Sequence, residues 1–239
     1  MKRNLLYVLV LVTLLLSACG GGTTPTVVSA TQPPASGGSD ATLKIGWIGK
    51  PDTLNPAYAF LTESYTIFDL IYSTLVTEAA DGTYEGMLAK DWSVSDDGLT
   101  WTYHLKDGIQ WHNGGPFTAG QMAWAINAIM KDPEGWAASA NYTGGFKEVT
   151  APDDKTVVIV TEYPIANMDY RTSFLYAVYP PDFETFTTSA DLQNFTNFAA
   201  IGTGPFKVKT FDKDTGVLLL DSNQDRKSTR LNSSHVSEA

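Results

Sequence analysis

The 239-residue chain has one cysteine, three histidines and no apolar run as long as the ~20 residues that a membrane-spanning helix needs. A single cysteine excludes an internal disulfide and a zinc site built from several thiolates. Basic residues are also scarce: Lys and Arg number 16 against 26 Asp and Glu, so the net charge is −10. Because nucleic-acid phosphates are bound by clustered Lys and Arg, this balance argues against a nucleic-acid partner.

Signatures of common catalytic sites are missing as well. There is no Gly-x-Ser-x-Gly elbow and no His-Glu-x-x-His motif. Gly202-Thr203-Gly204 lacks the Lys-Ser/Thr ending of a phosphate loop, and Pro205 removes an amide donor. His104 and His112 stand without a carboxylate at ligand spacing. We therefore predict no enzymatic reaction, no catalytic residues, no metal site and no cofactor.

The sequence is rich in apolar and aromatic residues. Hydrophobic residues make up 43% and aromatic residues 12%, including 6 Trp and 11 Tyr, which indicates a globular protein. Many of the aromatic residues stand beside turns. Aromatic side chains with a polar tip often line ligand clefts, but a place in the core is the alternative for each of them.

The N-terminus is predicted to be an export signal. A basic start precedes the apolar run Leu5–Leu16, and residues 1–18 form the predicted signal peptide. Leu16-Ser17-Ala18-Cys19 resembles the lipobox of bacterial lipoproteins, in which the cysteine becomes the lipid-modified N-terminus. We expect Cys19 to anchor the protein on the outer face of the cytoplasmic membrane, because two or more acyl chains anchor stably. A plain cleavage site with a chance cysteine is the alternative.

Two further segments are predicted to lie outside the folded body. Residues 19–41 are rich in Gly, Ser, Thr and Pro and are expected to be a flexible tether. Residues 226–239 are polar and Ser-rich and resemble translated adapter or vector sequence, with a natural disordered tail as the alternative. No function is assigned to this tail.

Hydrophobic periodicity predicts a mixture of strands and helices. Alternation predicts strands over 41–49 and 99–105. Thr62 is expected to cap one helix, and Thr118-x-x-Gln121 forms a capping box for another, which Lys131-Asp132-Pro133 ends. Three further elements are predicted in the same way: a hairpin turn at Asp81-Gly82, a strand over Thr156–Thr161, and a hairpin of Phe206–Phe211 with Val217–Leu220.

Several ordered blocks resemble solute-binding protein family 5 of ABC transporters, which contains dipeptide-, oligopeptide- and nickel-chelate-binding proteins. The matching blocks are Asp52–Pro56, Ile71–Val76, Met87–Trp92, Ser95–Gly108, Trp111–Ala119 and Gly202–Phe206. The resemblance implies an α/β fold of the class II periplasmic-binding-protein type, in which two lobes joined by a hinge close on a solute. It also implies that this chain holds lobe one with its extra subdomain and that the second lobe is absent. Lobe one would comprise 42–76 and 199–225, and the subdomain 77–198.

By the same resemblance, the protein is expected to be a receptor that captures a peptide or similar small solute. Its partners would be an ABC permease and the ATPase subunits, which are separate chains. Tyr58, Trp136 and Tyr176 are expected to border the cleft and contact solute, with core packing as the alternative for each. An exported glycoside hydrolase or a carbohydrate-binding module is the competing function.

Overall fold

The computed structural model describes residues 43–46, 48–134, 136–180 and 200–223. Cys19, the predicted signal peptide and tether, and the tail over 226–239 lie outside the described residues. The chain divides into two compact units, 1–46 and 47–239. Of the first unit, 43–46 are described, and their side chains are exposed. None of the helices in the described ranges is long and apolar enough to cross a membrane.

The second unit contains four helices and eight strands within the described residues. The helices are α1 (Thr62–Ile71), α2 (Ala119–Lys131), α3 (Ala137–Ala140) and α4 (Met168–Thr172). The strands are β1 (Val76–Glu78), β2 (Tyr84–Gly86), β3 (Ala89–Val94), β4 (Thr100–Leu105), β5 (Phe146–Asp153), β6 (Thr156–Thr161), β7 (Phe206–Asp212) and β8 (Val217–Ser222). The mixture confirms the predicted α/β character.

The strand predicted over 41–49 is wrong at the described positions, since 43–46 and 48–49 carry no strand. Leu43, Ile45 and Ile48 are all exposed. Alternation gives a segment two faces, but a strand also needs a hydrogen-bonded neighbour for its backbone groups. The sequence pattern contains no information about that neighbour.

The largest sheet has the order β3-β4-β6-β5, with every neighbouring pair antiparallel. Tyr103 on β4 pairs with Val157 on β6, and both side chains are fully buried. His104 pairs with Thr156 on the opposite, open face. The period of two therefore gives this sheet one core face and one polar face, as the alternation in β4 predicts.

Helix α2 packs against the core face of this sheet. Its N-terminus carries the predicted capping box: Thr118 Oγ1 accepts from the Gln121 amide at 3.4 Å, and Gln121 Oε1 accepts from the Thr118 amide at 3.0 Å. Gln121 Oε1 also accepts from the indole N–H of Trp111 at 3.0 Å. Met122 and Ile126 on the buried stripe are fully enclosed, and the helix ends at Lys131 as predicted.

The apolar residues form two separate clusters. The large cluster is built from the four-stranded sheet, α2 and the turns that flank them; its biggest fully enclosed side chains include Tyr103, Met122, Ile126 and Ile159. The small cluster gathers residues that are far apart in sequence, namely Leu54, Ala59, Ile67, Phe68, Ile71, Tyr72, Tyr176 and Ala200. The β7–β8 hairpin covers the small cluster through the partly buried Val208, Phe211, Leu218 and Leu220.

Candidate functional site

A loop before α1 is held rigidly by its own polar groups. Asp52 Oδ2 accepts from the Phe60 amide at 2.9 Å, while Oδ1 accepts from the Ser64 hydroxyl at 2.5 Å. Asn55, almost fully buried, accepts from the Ala57 amide at 2.9 Å. These bonds join the two ends of the loop, so its conformation is fixed by the Asp52–Asn55 sequence.

The rigid loop presents apolar side chains to the surroundings. Tyr58 is 37% exposed, Phe60 60% and Leu61 44%. The rings of Tyr58 and Phe60 meet edge to face, with their centroids 5.4 Å apart. We call Tyr58, Phe60 and Leu61 the exposed loop. An apolar surface held in place in this way can bind an apolar group at little ordering cost.

Tyr176 lies behind this loop, inside the small cluster. Its ring packs edge to face on Phe68 with centroids 5.4 Å apart, and the side chain is only 6% exposed. Its hydroxyl donates to Asp69 Oδ1 at 3.3 Å. Burial, with the negative charge of Asp69 as a smaller cause, raises the pKa of Tyr176 far above its ordinary value. Tyr176 is therefore a neutral, enclosed hydroxyl at physiological pH.

Trp136 lies in the large cluster and is 3% exposed. Its carbonyl accepts from the Ser139 amide at 2.9 Å, and the Ser139 hydroxyl donates to the Pro56 carbonyl at 3.4 Å. These contacts tie residues 136–139, which follow α2, to the loop that carries Tyr58. The link runs through the Trp136 backbone carbonyl and the Ser139 hydroxyl, while the indole is enclosed in the large cluster.

A second group of aromatic side chains lies between the 141–145 turn and α4. Tyr142 stacks on Phe174, with centroids 4.7 Å apart and planes 4° from parallel, and Tyr170 meets both rings edge to face. Tyr170 is exposed and the other two are half-buried. Burial, aided by Tyr170 and Tyr65, raises the pKa of Tyr142 to about 12.

Of the three aromatic residues predicted to contact solute, the structure places Tyr58 at the surface and Trp136 and Tyr176 in the two clusters. It does not bring the three together in one lining. Sequence reasoning missed Phe60 and Leu61. Their signal was present: both precede the first turn of α1, outside the buried helical stripe of that helix, and so have no place in its core.

The described residues hold no group of three or more His, Cys, Asp or Glu side chains placed to bind a metal ion. The histidine–carboxylate pair found there, His104 with Asp91 at 2.6 Å, lies on the open face of the sheet, with both side chains at least half exposed. This arrangement contains no nucleophile beside a base.

Comparison with known proteins decides the family. The model of the bacterial extracellular solute-binding proteins, family 5 (middle), matches residues 83–232, which is more than half of the chain. The chain belongs to this family. The family 5 match favours neither a glycoside hydrolase nor a carbohydrate-binding module.

Curated relatives of this family 5 chain are named for the small molecules that they bind. The probable D,D-dipeptide-binding periplasmic protein DdpA of Escherichia coli is 29% identical over 184 residues, covering 74% of this chain and 35% of that protein. The dipeptide-binding protein DppE of Bacillus subtilis is 28% identical over 200 residues, covering 75% of this chain and 35% of the relative. The chain thus spans about a third of the length of the curated relatives it matches.

Solved structures show the same fold. The binding protein AgaA of A. tumefaciens R10, in complex with agropinic acid, has 25% sequence identity and a TM-score of 0.65 over 76% of this chain and 35% of that one. The oligopeptide-binding protein AppA of Bacillus subtilis, in complex with a nonapeptide, has 22% identity and a TM-score of 0.65 over 75% of this chain and 36% of that one. The fold is that of the class II periplasmic binding proteins.

Proposed function

We propose that this chain is part of an extracytoplasmic receptor that captures a peptide or similar small solute and delivers it to an ABC permease and its ATPase subunits. The family 5 match over residues 83–232 carries the proposal. Relatives named for dipeptide binding support peptide as the solute class. In this proposal the protein binds and releases solute and catalyses no reaction.

The exposed loop is the proposed solute-contacting surface of the described part. Tyr58, Phe60 and Leu61 offer apolar area, and Asp52 already bonds the loop to itself, so that contact requires little reordering. The phenol of Tyr58 adds a polar tip that can donate to a peptide carbonyl. This loop favours an apolar side chain of the solute with a backbone oxygen beside it.

Trp136 and Tyr176 are proposed to support the exposed loop. Their burial favours a supporting place behind the exposed loop over direct contact with solute. Trp136 acts through Ser139 and Pro56, and Tyr176 acts through the α1 aromatic residues. Direct contact by either residue stays a prediction, which a structure with bound solute tests.

The affinity expected for the 239-residue chain is low. A ligand site normally covers ~70–90% of its ligand, and this chain spans about a third of the relatives' length. We propose that the remainder of that length supplies the opposite wall of the site. A micromolar dissociation constant corresponds to a binding free energy of ~8 kcal/mol. Half of the contacts would leave ~4 kcal/mol, which corresponds to a millimolar dissociation constant. We therefore expect no peptide binding by calorimetry for residues 41–225.

Saturation-transfer NMR at millimolar solute tests the function on the 239-residue chain. Two pools are added separately: di- and tripeptides with apolar side chains, and neutral oligosaccharides of similar mass. We expect transfer of saturation from the protein to the peptides and none to the oligosaccharides. Transfer to the oligosaccharides alone, or to neither pool, would contradict the proposal.

We further propose that Cys19 is lipid-modified and holds the protein on the outer face of the cytoplasmic membrane, with residues 19–41 as its tether. Expression of the full gene in a bacterial host, followed by membrane fractionation, tests this. Cys19→Ala should leave the protein soluble or unprocessed, while Ser17→Thr, a small change beside it, serves as the control. Equal membrane association of Cys19→Ala after signal removal would contradict the anchor.

A further inference from the structure

His112 joins the turn before α2 to a segment about 90 positions later in the chain. Its backbone N–H donates to the Gly202 carbonyl at 2.9 Å. Its ring makes two more bonds: Nδ1 lies 3.2 Å from the Gly202 amide nitrogen, and Nε2 lies 3.1 Å from the Gly204 carbonyl oxygen. We call this set of three bonds the His112 clamp.

The two ring bonds fix the protonation state of the imidazole. A backbone amide can only donate, so Nδ1 must accept and carries no proton; a backbone carbonyl can only accept, so Nε2 must carry the proton. The clamp therefore requires the neutral Nε2–H form of His112. A second proton on Nδ1 would point at the Gly202 amide proton, and that hydrogen bond would be lost.

The clamp holds a tightly packed joint. The Gly204 amide donates to the Ile71 carbonyl at the end of α1 at 2.8 Å, and a Cβ on Gly202 would lie 2.0 Å from the same oxygen. The Gly204 carbonyl also accepts from Asn223 Nδ2, at the end of β8, at 3.0 Å. The segment 202–204 thus connects α1, the His112 turn and the hairpin.

The joint carries these ionisable side chains on the elements that the structure describes. The 111–115 turn and the 202–204 segment contain no ionisable side chain other than His112. On the adjoining elements, Tyr72 lies against Gly202, with its hydroxyl bonded to the Leu54 carbonyl, while Lys207 and Asp221 are cross-strand partners in the hairpin.

We infer that His112 makes the joint acid-sensitive. Neutral His112 closes the clamp, and the imidazolium form opens it, which frees the 202–204 segment from the turn before α2. Because the joint also holds α1 and β8, opening loosens the attachment of the small cluster to the large one. The device is a property of the fold and does not depend on the identity of the solute.

The test isolates one imidazole in the full chain. His104→Asn and His235→Asn leave His112 as the single histidine of the three. A second protein adds His112→Asn, because an asparagine oxygen can accept from the Gly202 amide without titrating. The urea midpoint of the His112 protein should fall, relative to the His112→Asn protein, as pH drops from 7.5 to 5. Parallel midpoints over this range would overturn the inference.

A second measurement does not depend on the stability of variants. Nitrogen-15 NMR of the otherwise natural chain at pH 7.5 should show His112 as the Nε2–H tautomer. Hydrogen-exchange protection of the Gly202 amide should fall about two- to tenfold as His112 is protonated, the loss expected for one hydrogen bond. An Nδ1–H tautomer, or Gly202 protection that is unchanged when His112 titrates, would overturn the clamp.

Discussion

The two apolar clusters differ in how far apart along the chain their members lie. The sheet, α2 and most of the large cluster come from one continuous stretch, residues 89–161. In this stretch β3–β4 and β5–β6 are hairpins of consecutive strands, and α2 lies between the two hairpins. The small cluster joins Leu54, α1, Tyr176, Ala200 and the β7–β8 hairpin. Contacts between distant segments require long loops to close before any packing is gained. The large cluster should therefore form and persist without the small one, but the small one depends on the large.

The segments around the small cluster also expose apolar side chains to solvent. Val217 and Leu219 alternate with Leu218 and Leu220 along β8, and the outward pair is more than half exposed. The exposed loop also borders the small cluster. The exposed loop and the outward residues of β8 thus place apolar surface beside the small cluster, where it is available for binding.

The largest effect is expected for Phe68→Ala, which removes a fully buried ring at the centre of the small cluster. We expect a loss of ~3–5 kcal/mol in the local stability of α1 and the hairpin. Hydrogen exchange should show lost protection in α1, β7 and β8, with β4 and β6 still protected. Equal loss of protection in the large sheet would show that the two clusters form one cooperative unit.

A smaller but still severe effect is expected for Gly202→Ala. Its Cβ would lie 2.0 Å from the Ile71 carbonyl oxygen, so that the joint must move apart, at a cost of ~1–3 kcal/mol or more. Gly144→Ala is the matched control, since nothing lies within 4 Å of its Cβ position. Denaturant melts should separate the two variants. Similar midpoints would mean that the 202–204 segment is not packed against α1.

An intermediate effect is expected in the large cluster for Thr118→Ala, which removes the hydroxyl of the capping box. The expected loss is ~1 kcal/mol of unfolding free energy. Thr66→Ala on the exposed side of α1 is the control, because its hydroxyl bonds only the carbonyl one turn back. An unchanged denaturant midpoint for Thr118→Ala would show that Gln121 alone secures the helix start.

The smallest expected effect is the pH dependence of stability caused by the phenol of Tyr142, which packs against the large cluster from the 141–145 turn. Its pKa is raised to about 12, with burial as the main cause. Because the unfolded chain releases this proton near pH 10, the folded state should lose stability as pH rises from 10 to 12. Absorbance titration should show a tyrosine step near pH 12 that disappears in Tyr142→Phe. Persistence of that step would assign it to another phenol.

Local patterns predicted the large cluster well and the small one poorly. The capping box at Thr118 and the strand Thr156–Thr161 are confirmed because both depend on residues close in sequence. The N-cap predicted at Thr62 is wrong: Leu61 occupies that position, and the Ser64 amide bonds the Leu61 carbonyl. The Ser64 hydroxyl is used instead by Asp52, twelve residues earlier, a contact that no helical pattern contains.

In the candidate site, too, features set by residues close in sequence could be predicted and features set by distant residues could not. In the sequence, an aromatic residue beside a turn is compatible both with contact to a ligand and with a place in the core. Only the packing of the folded chain shows that Tyr58 lies at the surface and that Trp136 and Tyr176 are buried. Packing is set by segments distant in sequence, so the sequence pattern could not distinguish the exposed residue from the buried ones.

The hairpin predicted over 206–220 is confirmed, with strands ending at Asp212 and Ser222, because its turn residues are local.

The central claim is that the exposed loop contacts the solute, and chemical-shift mapping of the 239-residue chain tests it most directly. An apolar tripeptide is titrated to several millimolar against the natural sequence, Phe60→Ser and the control Tyr163→Ser, which changes an exposed aromatic residue in a different turn. We expect shifts centred on the amides of residues 58–61, abolished by Phe60→Ser and retained by Tyr163→Ser. Shifts that avoid residues 58–61, or that survive Phe60→Ser unchanged, would contradict it.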